Sequence, residues 1–253
     1  MKLFDSHAHF NDEKFAEDLD NIINNFENDE LEYVTCVGYN LEASKAAINI
    51  TKKSEKIFAT VGISPNDIES NWREKIDEIK ELARNSKVVA IGEIGLDYYW
   101  NKENKEEQKE LFITQINIAN ELGLPITIHS REAVYDTLDI LKKNPCIKKG
   151  IFHCCPLNVE LIKEALKLGF YISFSGNITF KNAKSYDPVS IVPLERLLVE
   201  TDSPYMSPEP KRGKRNEPAN VRYVVEKIAE IKGLSANEVA EVTMNNAKTI
   251  YNI

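Results

Sequence analysis

The chain has 253 residues, 42% of them hydrophobic and 28% charged, with a mean hydropathy of −0.37; this is the make-up of a globular protein with a substantial core and excludes a chain dominated by disorder. Its 32 basic and 40 acidic side chains leave a formal charge of −8, which excludes a protein-wide field drawing in nucleic acid. The opening MKLFDSHAHF has no charged stretch leading into a long apolar one, and no segment approaches the roughly 20 apolar residues of a membrane span, so a cytoplasmic protein with no membrane partner and no obligate protein partner is expected.

The first apolar run, LFDSH (3–7), leads into His7 and His9. YVTCVG (33–38) and IFATVGI (57–63) follow, the latter running into Ser64. VVAIGEIG (88–95) carries Glu93 inside an otherwise apolar strand. Apolar residues at helical spacing (Ile113, Ile116, Ala119, Leu122) predict a helix over 104–122. ITIH (126–129) then ends at His129, and GIFHC (150–154) contains His153. A second helical stripe, Leu161, Ile162, Ala165 and Leu168, fills 159–168. FYISFSG (170–176) and LLVETD (197–202), ending at Asp202, complete the strands. A last helix is expected over 234–251, with Ser235 as N-cap and Glu238 completing a capping box.

Strands apolar on both parities belong in a parallel sheet buried on both faces. Eight such strands alternating with helices predict βαβ units, and in a chain of 253 residues these predict an α/β protein, a single (β/α)8 TIM barrel over 1–253 with an extra C-terminal helix. A doubly wound open sheet is the alternative, because a strand count does not establish closure. Cys36, Cys146, Cys154 and Cys155 show no CxxC spacing and read as free thiols of a reducing compartment. Cys154, one past His153, is expected to point away from it and pack.

In a barrel, groups at the carboxyl ends of the strands share one face. His7, His9, Glu93, His129, His153 and Asp202 would converge there, and all four histidines of the chain are among them. The His-x-His spacing puts two imidazoles on one side of a strand. Burying a carboxylate in an apolar strand is costly unless a cation or hydrogen bonds compensate. Six ligands exceed what one catalytic ion takes, so two ions sharing a bridging carboxylate are expected. The mixed donor set suits Zn, Mn, Fe or Ni, and Mg in an oxygen-rich half. Two ions roughly 3.5–4 Å apart stabilise the attacking and leaving oxygens of a hydrolytic displacement, with Asp202 as general base and Glu93 as the other catalytic carboxylate.

Around these residues, DSHAHF, GEIGLDYYW (92–100), HSR (129–131), FHC (152–154), ETDSPY (200–205) and RNEP (215–218) closely resemble the TatD-type deoxyribonucleases of the amidohydrolase superfamily. The likeness spans nearly the whole chain. It implies a TIM barrel that hydrolyses DNA phosphodiester bonds with divalent metals, as a 3′ to 5′ exonuclease acting on a single strand or a 3′ end. It also implies one ion held by His7, His9, Glu93 and Asp202, with Glu93 bridging to a second held by His129 and His153. The family's GxHP is here GISP, so Ser64 stands where a histidine is usual, and phosphate binding there loses a cationic option.

Arg131 is a candidate phosphate clamp or a helix-start ion pair. Tyr98 and Trp100 could stack on a nucleobase or pack at the rim. Ser203 and Pro204 shape the turn after Asp202. The loop PKRGKRNEP places Lys211, Arg212, Lys214 and Arg215 after the eighth strand, where positive charge suits a polyanion. Ser64, Tyr98, Arg131 and Arg215 are thus the expected substrate-binding residues. Two other readings compete: an amidohydrolase-type enzyme acting on a carbonyl ester or amide such as an aminoacyl ester, served by the same Lewis-acid chemistry, and a non-enzymatic scaffold, which uncompensated carboxylates disfavour.

Overall fold

A computed structural model describes residues 1–181 and 185–253. Eight strands, β1 (Leu3–Ala8), β2 (Leu31–Val37), β3 (Ile57–Val61), β4 (Val88–Asp97), β5 (Ile126–Arg131), β6 (Gly150–Phe152), β7 (Tyr171–Phe174) and β8 (Leu197–Val199), form one parallel sheet in sequence order. The connecting helices are α1 (Leu19–Asn24), α2 (Leu41–Thr51), α3 (Trp72–Leu82), α4 (Lys105–Leu122), α5 (Val134–Lys143), α6 (Val159–Lys167), α7 (Asp187–Ser190) and α8 (Val221–Lys232), followed by α9 (Ala236–Tyr251). Sequential order removes the open-sheet alternative, whose strand order would reverse at a switch point. The first and last strands meet beyond the end of β8: Asp202 N–H donates to the His7 carbonyl at 2.9 Å, and His9 N–H to the Ser203 carbonyl at 2.7 Å.

Most of the core lies between the sheet and the helices, where side chains such as Phe112, Ile116, Leu161, Ile162, Val224 and Val225 are buried. A second apolar cluster of Phe4, Val89, Ile151, Tyr171 and Leu198 fills the base of the barrel, where Ala247 and Tyr251 of α9 cover it. The Tyr251 hydroxyl donates to the Ser6 carbonyl at 2.9 Å. The predicted capping box is present, Ser235 and Glu238 each accepting from the other's backbone N–H.

Every strand ends one to three residues from the end of its apolar run, and three of these ends bear on the site. β4 runs two residues further, to Asp97. β6 stops at Phe152 and β8 at Val199, so His153 and Asp202 stand in loops. Cys154, two residues past β6, and Asp202, three past β8, have φ of 36° and 56°, left-handed conformations outside the strand region.

Candidate metal centre

Each ligand-type residue is fixed by the strand or turn that carries it. β1 delivers His7 and His9, and Asp5 in the same strand accepts from Thr201 N–H at 2.9 Å and Thr201 Oγ1 at 2.5 Å, tying β1 to the loop that bears Asp202. Burial pushes Asp5 up to about 8. Asn216 Nδ2 donates to the Thr201 and Tyr205 carbonyls, at 2.9 and 2.7 Å, and so closes the turn around Asp202. Sequence reasoning named neither Asp5 nor Asn216, although each lies inside a motif, DSHAHF and RNEP.

All six predicted ligands come together, in two groups that share Glu93. On one side Glu93 Oε2 lies 3.5 Å from His7 Nε2 and 3.7 Å from His9 Nε2. Asp202 Oδ1 lies 3.8 and 3.3 Å from the same two nitrogens. On the other side Glu93 Oε1 lies 3.1 Å from His129 Nδ1 and 3.4 Å from His153 Nε2. His7 Nε2 and His9 Nε2 are 3.2 Å apart, and His129 Nδ1 and His153 Nε2 are 3.3 Å apart.

These distances test whether divalent ions fit. An ion with bonds of about 2.0–2.1 Å in a tetrahedral shell sets its ligand atoms roughly 3.3 Å apart. Both groups match that spacing, and nitrogens facing nitrogens across it want a cation rather than one another. The donors fit two divalent ions, with His7, His9, Asp202 and Glu93 Oε2 on one side and His129, His153 and Glu93 Oε1 on the other. The sets His7/His9/Glu93 and Glu93/His129/His153 are each compact enough to hold an ion.

The carboxylates are held in the ligating form, while burial, which lowers His9, His129 and His153, is outweighed by the same acids, which raise them, so that an ion would displace protons from these imidazoles. Burial raises the Glu93 carboxyl, but His153, His129 and His7 outweigh it and hold it well below the usual carboxylate range. Burial likewise raises Asp202, and His9 more than offsets it. Both carboxylates are therefore in the ligating form at neutral pH. Two further acids, absent from the predicted set, stand behind the histidines. Asp97 Oδ2 lies 2.8 Å from His129 Nε2, and Glu200 Oε1 lies 3.3 Å from His153 Nδ1. Burial raises Asp97, but its bond to His129 wins and brings it to about 2.

A cavity of about 1030 Å³ opens over the centre. Ser64, Arg131 and Trp100 line it, as do Tyr39, Asp67 and Tyr205. Arg131 lies 3.8 Å over the Tyr99 ring and 5.5 Å over that of Trp100, which is 68% exposed. Two of the expected substrate-binding residues sit elsewhere. The buried Tyr98 gives its hydroxyl to Asp136 at 2.7 Å, outside the cavity lining. Arg215 is tied to Asp18 and Glu217 at 2.5 and 2.9 Å. Arg212 lies 4.0 Å over Phe180 and Lys211 Nζ 6.0 Å from the Tyr223 ring centre, so three of the four loop cations are engaged with the protein itself. Cys154 corrects an expectation: it lines the cavity beside Ser175, with Sγ 3.0 Å from Oγ, because the strand ends before the alternation reaches it.

Comparison with known proteins agrees with this geometry. A family model described as TatD related DNase matches residues 4–252. A Bacillus subtilis protein, named as the uncharacterized metal-dependent hydrolase YabD, is 43% identical over 253 residues, covering 99% of each chain. The Escherichia coli uncharacterized metal-dependent hydrolase YcfH is 38% identical over 258 aligned residues, covering all of this chain and 97% of its own. The crystal structure of YJJV, a TatD homologue of Escherichia coli, superposes with a TM-score of 0.92 at 26% identity, covering 99% of this chain and 98% of that one. With that match running from β1 to the end of α9, and with His/Glu groups that could bind metal gathered at one mouth of the barrel, this chain belongs to the TatD family of metal-dependent hydrolases.

Proposed function

We propose that the protein hydrolyses DNA phosphodiester bonds, removing nucleotides from the 3′ end of a single strand with two divalent ions, Zn, Mn, Mg, Fe or Ni. The observation that carries this reading is Glu93, whose two oxygens face two separate donor sets. The family description, TatD related DNase, supports DNA as the polymer. Bound ions would polarise the phosphoryl oxygen and ready water for attack near neutral pH. Asp202, at the edge of the donor set and in the cavity wall, takes the proton of the attacking water. Arg131 offers a planar fork to a phosphate, and Trp100 a face to a base. The four thiols suit a reducing cytoplasm.

The direct test is a gel with 3′-labelled and 5′-labelled single-stranded DNA, with Mg or Mn, with EDTA, and with Asp202→Asn. Shortening from the 3′ end should vanish with EDTA and fall at least about 100-fold in the variant, the lower bound for loss of a general base. Full activity in Asp202→Asn would remove that residue from the mechanism.

One observation favours the carbonyl-ester or amide reading. Ser64 Oγ donates to Asp67 Oδ2 at 3.0 Å, so that cavity wall presents a carboxylate where the family places a histidine. A metal-loaded protein inert on DNA but active on aminoacyl or simple esters would establish this alternative.

A further inference from the structure

The two histidines of the second donor set point opposite nitrogens inward. His129 meets Glu93 Oε1 with Nδ1, and His153 meets it with Nε2. Each outward nitrogen then meets a carboxylate that is itself wholly buried: Asp97 Oδ2 at 2.8 Å from His129 Nε2, Glu200 Oε1 at 3.3 Å from His153 Nδ1. The first set is built differently. His9 Nδ1 meets the Val37 carbonyl at 3.2 Å, and His7 Nδ1 has no hydrogen-bond partner among the described residues.

We propose that Asp97 and Glu200 are positioning residues which fix His129 and His153 in opposite tautomers and thereby hold the second divalent ion. The proposal rests on the two-ion reading above. A neutral imidazole carries one N–H, and an ionised carboxylate can only accept it. Asp97 therefore draws the proton of His129 to Nε2 and frees Nδ1, while Glu200 draws that of His153 to Nδ1 and frees Nε2. Glu200 could itself approach an ion with His7 and His153; its Oε1 is held by Cys154 N–H at 2.7 Å and faces His153, while its Oε2 has no hydrogen-bond partner among the described residues. Asp97 is braced as well: its Oδ1 accepts from Tyr99 and Trp100 N–H at 2.9 and 3.0 Å, and its Oδ2 from Asn66 Nδ2 at 3.2 Å.

Charge gives the arrangement its purpose. The second set contains one carboxylate, Glu93, and shares it with the first. Asp97 and Glu200 place two further carboxyl groups one imidazole away. With Glu93 and Asp202 they make four carboxylates against the four positive charges of two divalent ions. Loss of such an outer partner typically costs about 10–100-fold in metal affinity.

The experiment titrates metal-free wild type, Asp97→Asn and Glu200→Gln with Zn against a competing chromophoric chelator. Asp136→Asn, which breaks a carboxylate bond to Tyr98 outside the centre, serves as control. Wild type and control should bind two equivalents; each variant should keep one at wild-type affinity and bind the other about 10–100-fold more weakly. Variants that melt earlier when metal-free yet bind both equivalents normally would show a purely structural role and overturn the proposal. Wild type that binds fewer than two ions would instead defeat the two-ion reading. Nitrogen-15 spectra of the wild-type histidines need no variant: the Zn-loaded protein should show the Nε2–H form for His129 and the Nδ1–H form for His153. The same tautomer in both would also overturn the proposal.

Discussion

Glu93 is the one residue whose removal should disturb both halves of the centre, because its two oxygens serve different donor sets. Glu93→Gln is expected to weaken both metal equivalents, whereas His129→Ala should affect one. A lost ligand that costs several kcal/mol of transition-state stabilisation lowers the rate about 100- to 1000-fold. Metal titration alongside kcat for the two variants checks this; a single weakened equivalent in Glu93→Gln would separate it from the bridging position. The six inner residues were legible in the sequence because each is a polar group near the end of an apolar run. Asp97 and Glu200 were not. They lie inside the motifs GLDYY and ETDSP, four residues after Glu93 and two before Asp202, but only the fold shows which histidine each one faces. Tyr98 and Arg215 were assigned to substrate for the same reason: their partners Asp136 and Asp18 are 38 and 197 residues away.

At the scale of elements, the approach of β4 to β5 decides where His129 stands. Gly95, with φ of 136°, pairs with His129, and a Cβ there would lie 2.0 Å from the His129 carbonyl oxygen. Only glycine tolerates both the conformation and the contact. Gly95→Ala is expected to cost roughly 1–3 kcal/mol, a fall in Tm of about 2–12 °C for a chain of this size, and to weaken metal binding at the proposed His129 site more than at the proposed His9 site. Calorimetry and metal titration would show it, and an unchanged melt would mean that the two strands separate easily there. The order and number of strands followed from runs of apolar residues, since both faces of the sheet are covered. The early ends of β6 and β8 did not, because the left-handed torsions of Cys154 and Asp202 just beyond them are not announced by residue type.

For the whole molecule, the four histidines and four buried or part-buried acids at the mouth of the barrel form a concentration of ionisable groups that divalent cations would balance. Binding to the native state alone adds stability by mass action, about 2.7 kcal/mol for each ion present at 100 times its Kd. Loading both sites should therefore raise Tm by roughly 10–20 °C at about 2–4 °C per kcal/mol. Thermal melts with EDTA and with Zn or Mn test this, and coincident curves would leave the centre without a cation. No helix among the described residues is long and apolar enough to cross a membrane.

The bond from the Tyr251 hydroxyl to the Ser6 carbonyl gives this cation-dependent stability a reach beyond the mouth of the barrel. Ser6 precedes His7, so the last turn of α9 grips the backbone of the strand whose next residue is the first candidate ligand. The two tails of the polypeptide are thereby sewn to the same seam, and metal loading at the mouth is expected to slow proteolysis of the carboxyl-terminal tail, which timed digestion with and without EDTA would show.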